Sequence, residues 1–216
     1  MHGTITVSAP NVTIRNLCVR PDAATDFGIV IRWVNGTVID HVQVVGADRV
    51  HQGVQAYDAS FVTVRYSDIA GTDDGISAGV GMIESNYLHD PRPGGHSDMI
   101  EATGWRNEWP QSSTLTIRNN TILNPMSQTS AIALFQDNGV QFRNATVDHN
   151  LLAGGAYTLY AGGGNAGPGT NIKITNNVFD RRYFPDCGSA GHVTAYGPSG
   201  AGNVWTANTY EDGSPA

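Results

Sequence analysis

Four acidic residues and two histidines occupy the positions from which this 216-residue chain would act on a substrate. Asp73-Asp74 and Ser97-Asp98 stand just before the apolar residues Ile76 and Ile100, and Glu101 follows Ile100 directly. His51-Gln52 and Thr129-Ser130 stand in the same way before Val54 and Ile132, while Gln55, Ser77, Ala133, Tyr160 and Thr194 take the place of Glu101 beside the other anchors. Side chains alternate across a strand, so a residue beside an inward-facing anchor points outward. Asp74 and Asp98 share one phase, two residues before an anchor, which makes them near neighbours if the segments stack. Carboxyls crowded in this way raise one another's pKa. That suits a general acid beside a general base, with Asp74, His96, Asp98 and Glu101 as the catalytic candidates. It equally suits a divalent-metal site built from Asp73, Asp74, Asp98 and Glu101. Asp before Gly, as in Asp74-Gly75, is also an ordinary turn signal. It is the register with a second Asp, a Glu and a His that singles these residues out.

Other residues suggest how a substrate would be held. His51 falls one repeat before the acidic cluster, and His96 sits at the mouth of the Asp98 segment, after the loop His89-Asp90-Pro91-Arg92-Pro93-Gly94-Gly95. An insertion at 103–111 carries Trp105, Arg106 and Trp109. Two tryptophans in a polar loop offer apolar faces for sugar rings, although at least one is expected to plug the loop onto the body of the protein. Arg92, Arg106 and Tyr160 complete the expected substrate contacts. Arg181 and Arg182, in a later loop, either supply positive charge or belong to a solvated surface. The Gly-rich tract 162–169 is a turn and not a phosphate loop, since no helix or lysine follows it.

The elements that position these residues come from an internal repeat, the first thing to seek in such a chain. The phrase apolar, polar, variable, Asn, variable, apolar starts at residues 14, 39, 64, 83, 117, 147, 174 and 205. A second apolar column runs through Ile29, Val54, Ile76, Ile100, Ile132, Leu159 and Val193. Asn86, Asn120, Asn150, Asn177 and Asn208 hold one position in five successive repeats, which an antiparallel sandwich has no reason to do. In a solenoid, coils stack about 4.8 Å apart, and like asparagines at a bend form a hydrogen-bonded ladder. Asn also tolerates the left-handed conformation that such a bend needs. The expected fold is all-β: one parallel β-helix over residues 1–216 with an asparagine ladder.

This phrase resembles the repeat of the right-handed parallel β-helix, pectate-lyase-like superfamily. The likeness covers residues 4–210. Together with His96-Ser97-Asp98-Met99-Ile100-Glu101 and Leu152-Ala153-Gly154-Gly155, it is similar to secreted actinobacterial β-helix proteins. The resemblance implies a carbohydrate-active protein with a polysaccharide substrate. Its lyases cleave uronic-acid glycans by β-elimination, with Ca²⁺ on acidic residues and Arg or Lys as base. Here Arg92 or Arg106 would be that base, with His96 as the alternative, and no lysine stands near the site. An inverting hydrolase of the pectin-degrading type is the alternative, with two carboxylates about 6.5–9.5 Å apart. A non-catalytic glycan-binding or structural β-helix is the third reading. The same resemblance implies no organic cofactor and no required protein partner.

Composition narrows the field further. The formal net charge of −7, with Lys173 as the single lysine, argues against nucleic acid, whose phosphates need a basic surface. With 14% charged and 40% hydrophobic residues the chain is neither disordered nor a coiled coil. No run reaches the roughly 18 apolar residues of a membrane span. The chain opens in mid-pattern, as expected of a secreted protein whose leader and N-terminal cap have been removed. Cys18 and Cys187 fall six coils apart, about 29 Å at about 4.8 Å per coil, too far for a disulfide. Cys18 is expected to be half-buried and Cys187 exposed in a loop. The Asn-x-Ser/Thr matches at Asn11, Asn35, Asn119 and Asn144 are by-products of the repeat.

Overall fold

The computed structural model describes residues 1–22, 26–56 and 59–216. Every element among them is a β-strand, and all named strand pairs are parallel. The chain winds into a parallel β-helix, three short strands to a coil. The phrase column pairs in register from coil to coil: Ile14 with Ile39, then Val64, Ile83, Ile117, Val147, Ile174 and Trp205. The second column does the same from Ile5 through Ile29, Val54, Ile76, Ile100, Ile132 and Leu159 to Val193. Strand Val38–Ala56 runs through most of a coil, with a register irregularity between Val45 and Val50. Apolar side chains from all three faces meet in one core that extends from Val7 to Phe179 and Cys187.

The asparagine ladder is formed and buried. Asn86, Asn120, Asn150 and Asn177 each donate backbone N–H and side-chain amide to the Oδ1 of the next asparagine, ending on Asn208. Each also donates to a backbone carbonyl of the coil before it, as Asn150 does to Ile117. Ser67 begins the row, its N–H donating to Asn86. The left-handed residue is not the ladder asparagine, as the sequence suggested, but the one before it. Tyr66, Ser85, Asn119, His149, Asn176 and Ala207 have φ between 50° and 57°. The bend is made at one residue, and the next caps the backbone groups that the bend frees. A residue with φ > 0 carries a steric cost unless it is Gly, Asn or Asp, so Tyr66 and Ala207 are held there by the stack.

On the face that carries the phrase, charges alternate up the outside. Arg15, Asp40, Arg65, Glu84, Arg118 and Asp148 pair in succession along the backbone register. Arg65 donates to Asp40 at 2.9 Å, and Arg118 to Glu84 at 2.7 Å. A slip of one coil would set like charges against each other.

The cysteines are free, Cys18 half-buried. Cys187 departs from expectation. It is fully buried, its sulfur accepts from Thr158 Oγ1 at 3.1 Å, and burial pushes its thiol up to about 11. No helix among the described residues is long and apolar enough to cross a membrane.

Removing Asn150 strands the buried groups of two neighbouring coils, so Asn150→Ala is expected to lower the free energy of unfolding by about 2–3 kcal/mol. Arg118→Ala breaks an exposed pair and is expected to cost less than about 1 kcal/mol. Chemical denaturation of both variants measures the contrast.

Candidate functional site

A bend in the second column creates the site. Val54, Ile76, Ile100 and Ile132 point inward and are fully buried. The residues before them point inward as well. A Cβ on Gly53 would stand 2.7 Å from Ile69 Cγ2, and one on Gly75 2.7 Å from Leu88 Cδ2, while Met99 and Ala131 are fully buried. Two successive inward residues mean that the strand turns a corner there. Strict alternation would have sent Asp74 and Asp98 into the core. The corner instead directs the residues on both of its sides onto one outer face. One row is Gln52, Asp74, Asp98 and Ser130; the other is Gln55, Ser77, Glu101 and Ala133.

Between these rows lies an open groove of about 620 Å³. His51, Asp74, His96, Asp98 and Glu101 line it, together with Gln52, Gln55, Ser77, Thr103, Phe135 and Asp137. Asp74 Oδ1 accepts the backbone N–H of Asp98 at 3.0 Å, and its Oδ2 accepts Gln52 Nε2 at 3.2 Å. Ser130 Oγ donates to Asp98 Oδ1. Asp74 and Asp98 are thus each fixed by a residue of an adjacent coil.

The electrostatics follow from depth. Asp98 is almost wholly buried, and its carboxyl is pushed up to about 7, chiefly by desolvation and further by the charge of Asp74, against the Ser130 hydrogen bond. Glu101 is pushed up to about 8 by desolvation and by Asp74, Asp98 and Asp137. Asp74 is raised by burial despite its two donors, and Asp137 by burial alone. Acids coupled this closely titrate as a set, and near neutral pH the set retains protons. The groove is therefore less negative than its composition suggests, and its carboxylic acids can donate hydrogen bonds.

Other expected site residues lie elsewhere. Asp73 turns away from the groove, where Arg92 grips both of its oxygens. Arg92 is therefore engaged by the protein itself. Trp105 and Trp109 are buried, edge to face at 5.4 Å, against Val80, and Trp109 covers Gly79. Both are plugs, and neither offers a face for sugar, because both rings are buried. Arg106 lines a separate hollow with Trp105 and Asn138, and lies 3.8 Å from Glu108. Tyr160 continues the Glu101 row two coils on, past the small Ala133. It packs on Phe135 and Tyr157, and Asp98 helps to raise its hydroxyl pKa, after burial. It lies outside the groove lining, against Phe135, which belongs to it.

Asp137 and Phe135 escaped the sequence reading because they lie past the strand Ser130–Leu134, where the repeat has no phase. The backbone bond from Asp137 N to Thr103 O brings that turn to the groove.

The expected Ca²⁺ site is not assembled. Among the described residues, no three His, Cys, Asp or Glu side chains converge as metal ligands. Ca²⁺ takes 6–8 oxygens, whereas Asp73 is bound to Arg92, Asp98 accepts from Ser130, and Asp74 accepts from Gln52 and the Asp98 N–H.

No protein-family model and no curated protein matches the chain. Among solved structures it resembles the crystal structure of an alginate lyase from Paenibacillus sp. str. FPU-7. The TM-score is 0.62 at 15% identity, over 99% of this chain and 75% of that one. At that identity the likeness is one of fold alone.

The raised pKa values carry a stability consequence. In the unfolded chain both acids ionise near pH 4; in the folded chain Asp98 does so at about 7 and Glu101 at about 8. Between those limits the folded state binds more protons, so stability falls as pH rises from about 4 to 8. Asp98→Asn and Glu101→Gln are expected to raise the melting temperature at pH 8–9 and to change it little at pH 4. Scanning calorimetry at both pH values checks this.

Proposed function

We propose that the chain is a polysaccharide-cleaving enzyme that acts in this groove by β-elimination on a uronic-acid-containing glycan. The observation that carries the reading is the stacked pair Asp74 and Asp98, with Glu101 in the facing row and two imidazoles, on one open face. A uronate needs its carboxylate neutralised before the adjacent C–H can be deprotonated. The groove lining has neither Arg nor Lys, but a carboxylic acid that keeps its proton near neutrality can donate a short, charge-assisted hydrogen bond to a carboxylate. Glu101 fills that role. His96 removes the proton from C5, an imidazole being the commonest general base. The C5–H electrons form the C4–C5 double bond as the C4–O4 bond breaks. Asp98 gives its proton to the departing oxygen. Asp74 holds Asp98 in place through its N–H and helps to keep that carboxyl protonated. Phe135, backed by Tyr160 and Tyr157, offers aromatic surface to a sugar ring. The fold likeness to an alginate lyase supports the substrate class. A polymeric glycan goes with an extracellular site of action.

A second reading, an inverting hydrolase acting on a neutral glycan, is favoured by the absence of cationic side chains from the lining. Asp74 would then activate water, and Glu101 would protonate the leaving oxygen.

Incubation with alginate, polygalacturonate, glycosaminoglycans and neutral glucans, reading near-ultraviolet absorbance and reducing ends together, separates the two. The lyase gives unsaturated products from a uronan, with chelator having no effect, and loses activity as pH rises through 7 to 8. Asp98→Asn and Glu101→Gln are expected to lower kcat by about 10²–10⁴-fold. Reducing ends without absorbance would favour the hydrolase. Full activity in Asp98→Asn would overturn the lyase reading, and full activity in Glu101→Gln would overturn both.

A further inference from the structure

Asp73 is buried, charged and next in sequence to a groove carboxyl, yet it is directed away from the groove. What it holds is the loop between the strands Tyr87–His89 and Asp98–Ala102. Arg92 Nε donates to Asp73 Oδ1 at 2.8 Å, and Nη2 donates to Oδ2. The backbone fixes the same loop: Arg92 N donates to Thr72 O at 2.8 Å, and Gly71 N to Asp90 O at 2.8 Å. From the far side, Gln128 Nε2 donates to Gly95 O. Gly95 lies directly over the carboxylate, where a Cβ would stand 1.6 Å from Asp73 Oδ1. The loop closes this far only because residue 95 has no side chain. The next residue is His96, which lines the groove. On the other side of Asp73, His51 Nδ1 lies 3.4 Å from Oδ2, and His51 lines the groove too.

We propose that Asp73 and Arg92 are positioning residues: their two-bond clamp, closed over by Gly95, holds His51 and His96 at the groove. Asp73 and Asp74 then divide the work, one bracing the imidazoles and the other bracing Asp98. The bidentate pair suits this task, since an Arg fork on a carboxylate fixes both distance and angle. Lysine would keep the charge and lose the angle. The use of His96 as a base rests on the reading given above; the clamp does not.

The test uses histidine-labelled protein and needs no substrate. Imidazole signals are assigned with His51→Gln and His96→Gln, and amide exchange is followed at Arg92 and Gly95. In Arg92→Ala and in Gly95→Ala both imidazole signals are expected to move toward those of solvated histidine. The two amides are expected to exchange on the order of 10-fold faster. Arg92→Lys, the milder change should Arg92→Ala fail to fold, falls between. Arg118→Ala, a pair on another face, leaves all these signals in place. Unchanged imidazole signals and exchange in Arg92→Lys and Arg92→Ala would overturn the proposal. On any glycan the wild type cleaves, Arg92→Ala is expected to lower kcat by about 10²-fold with KM changed far less; a loss confined to KM would make Arg92 a substrate contact and contradict the clamp. If the wild type cleaves no glycan, the reaction reading fails and the magnetic-resonance result still decides the clamp.

Discussion

A buried asparagine amide brings two N–H donors and one oxygen, and each unpaired group costs about 1–3 kcal/mol. In this protein the groups are satisfied by the same residue one coil away, from Asn86 to Asn208. The pairing has one solution, in which every coil sits in register with the next. The apolar columns fill the interior of that register, and the alternating charges from Arg15 to Asp148 reinforce it from outside. Coil lengths vary widely between anchors, yet the extra residues are taken up in turns, loops and one irregularity between Val45 and Val50, so the anchor columns stay paired.

The groove depends on that register. Asp74 and Asp98 have no covalent relation that would set them side by side; the pairing of Ile76 with Ile100 does it. The corner between Gly75 and Ile76 then turns both flanking rows outward, and glycine at 53 and 75 lets the coils approach closely enough for the corner to close. Crowding carboxyls on this face opposes stability at neutral and alkaline pH. That is the pattern expected where chemistry, and not folding, has selected the residues. A cluster that keeps protons is also one that can approach an anionic sugar, which a fully ionised cluster would repel.

Much of this was legible in the sequence. Both apolar columns pair as read, because period and stacking are the same constraint seen twice. The meeting of Asp74, Asp98, Glu101, His51 and His96 followed from their phase. What alternation alone could not show was the corner, since a bend changes which side of the strand a residue occupies without changing its spacing. The left-handed residue was misplaced by one position, because Asn119 and Asn176 also stand before ladder asparagines and blur the bend with the cap. At least one of Trp105 and Trp109 was expected to plug the loop, and both do; the sequence does not reveal that Trp109 packs over Gly79 with Trp105 behind it. Cys187 lies in a loop that folds back under Thr158. Asp137 and Arg92 lie in loops, where no repeat sets the phase. Their places are fixed by contacts outside the repeat, Asp137 by Thr103 and Arg92 by Asp73 and Thr72.

The account's central claim is that the stack forces the groove to hold protons near neutral pH. Carbon-13 titration of the Asp98 and Glu101 carboxyls, assigned with Asp98→Asn and Glu101→Gln, addresses it directly. The account requires inflections at about 7 and about 8. Inflections for both residues near pH 4, the range of solvated carboxyls, would contradict it.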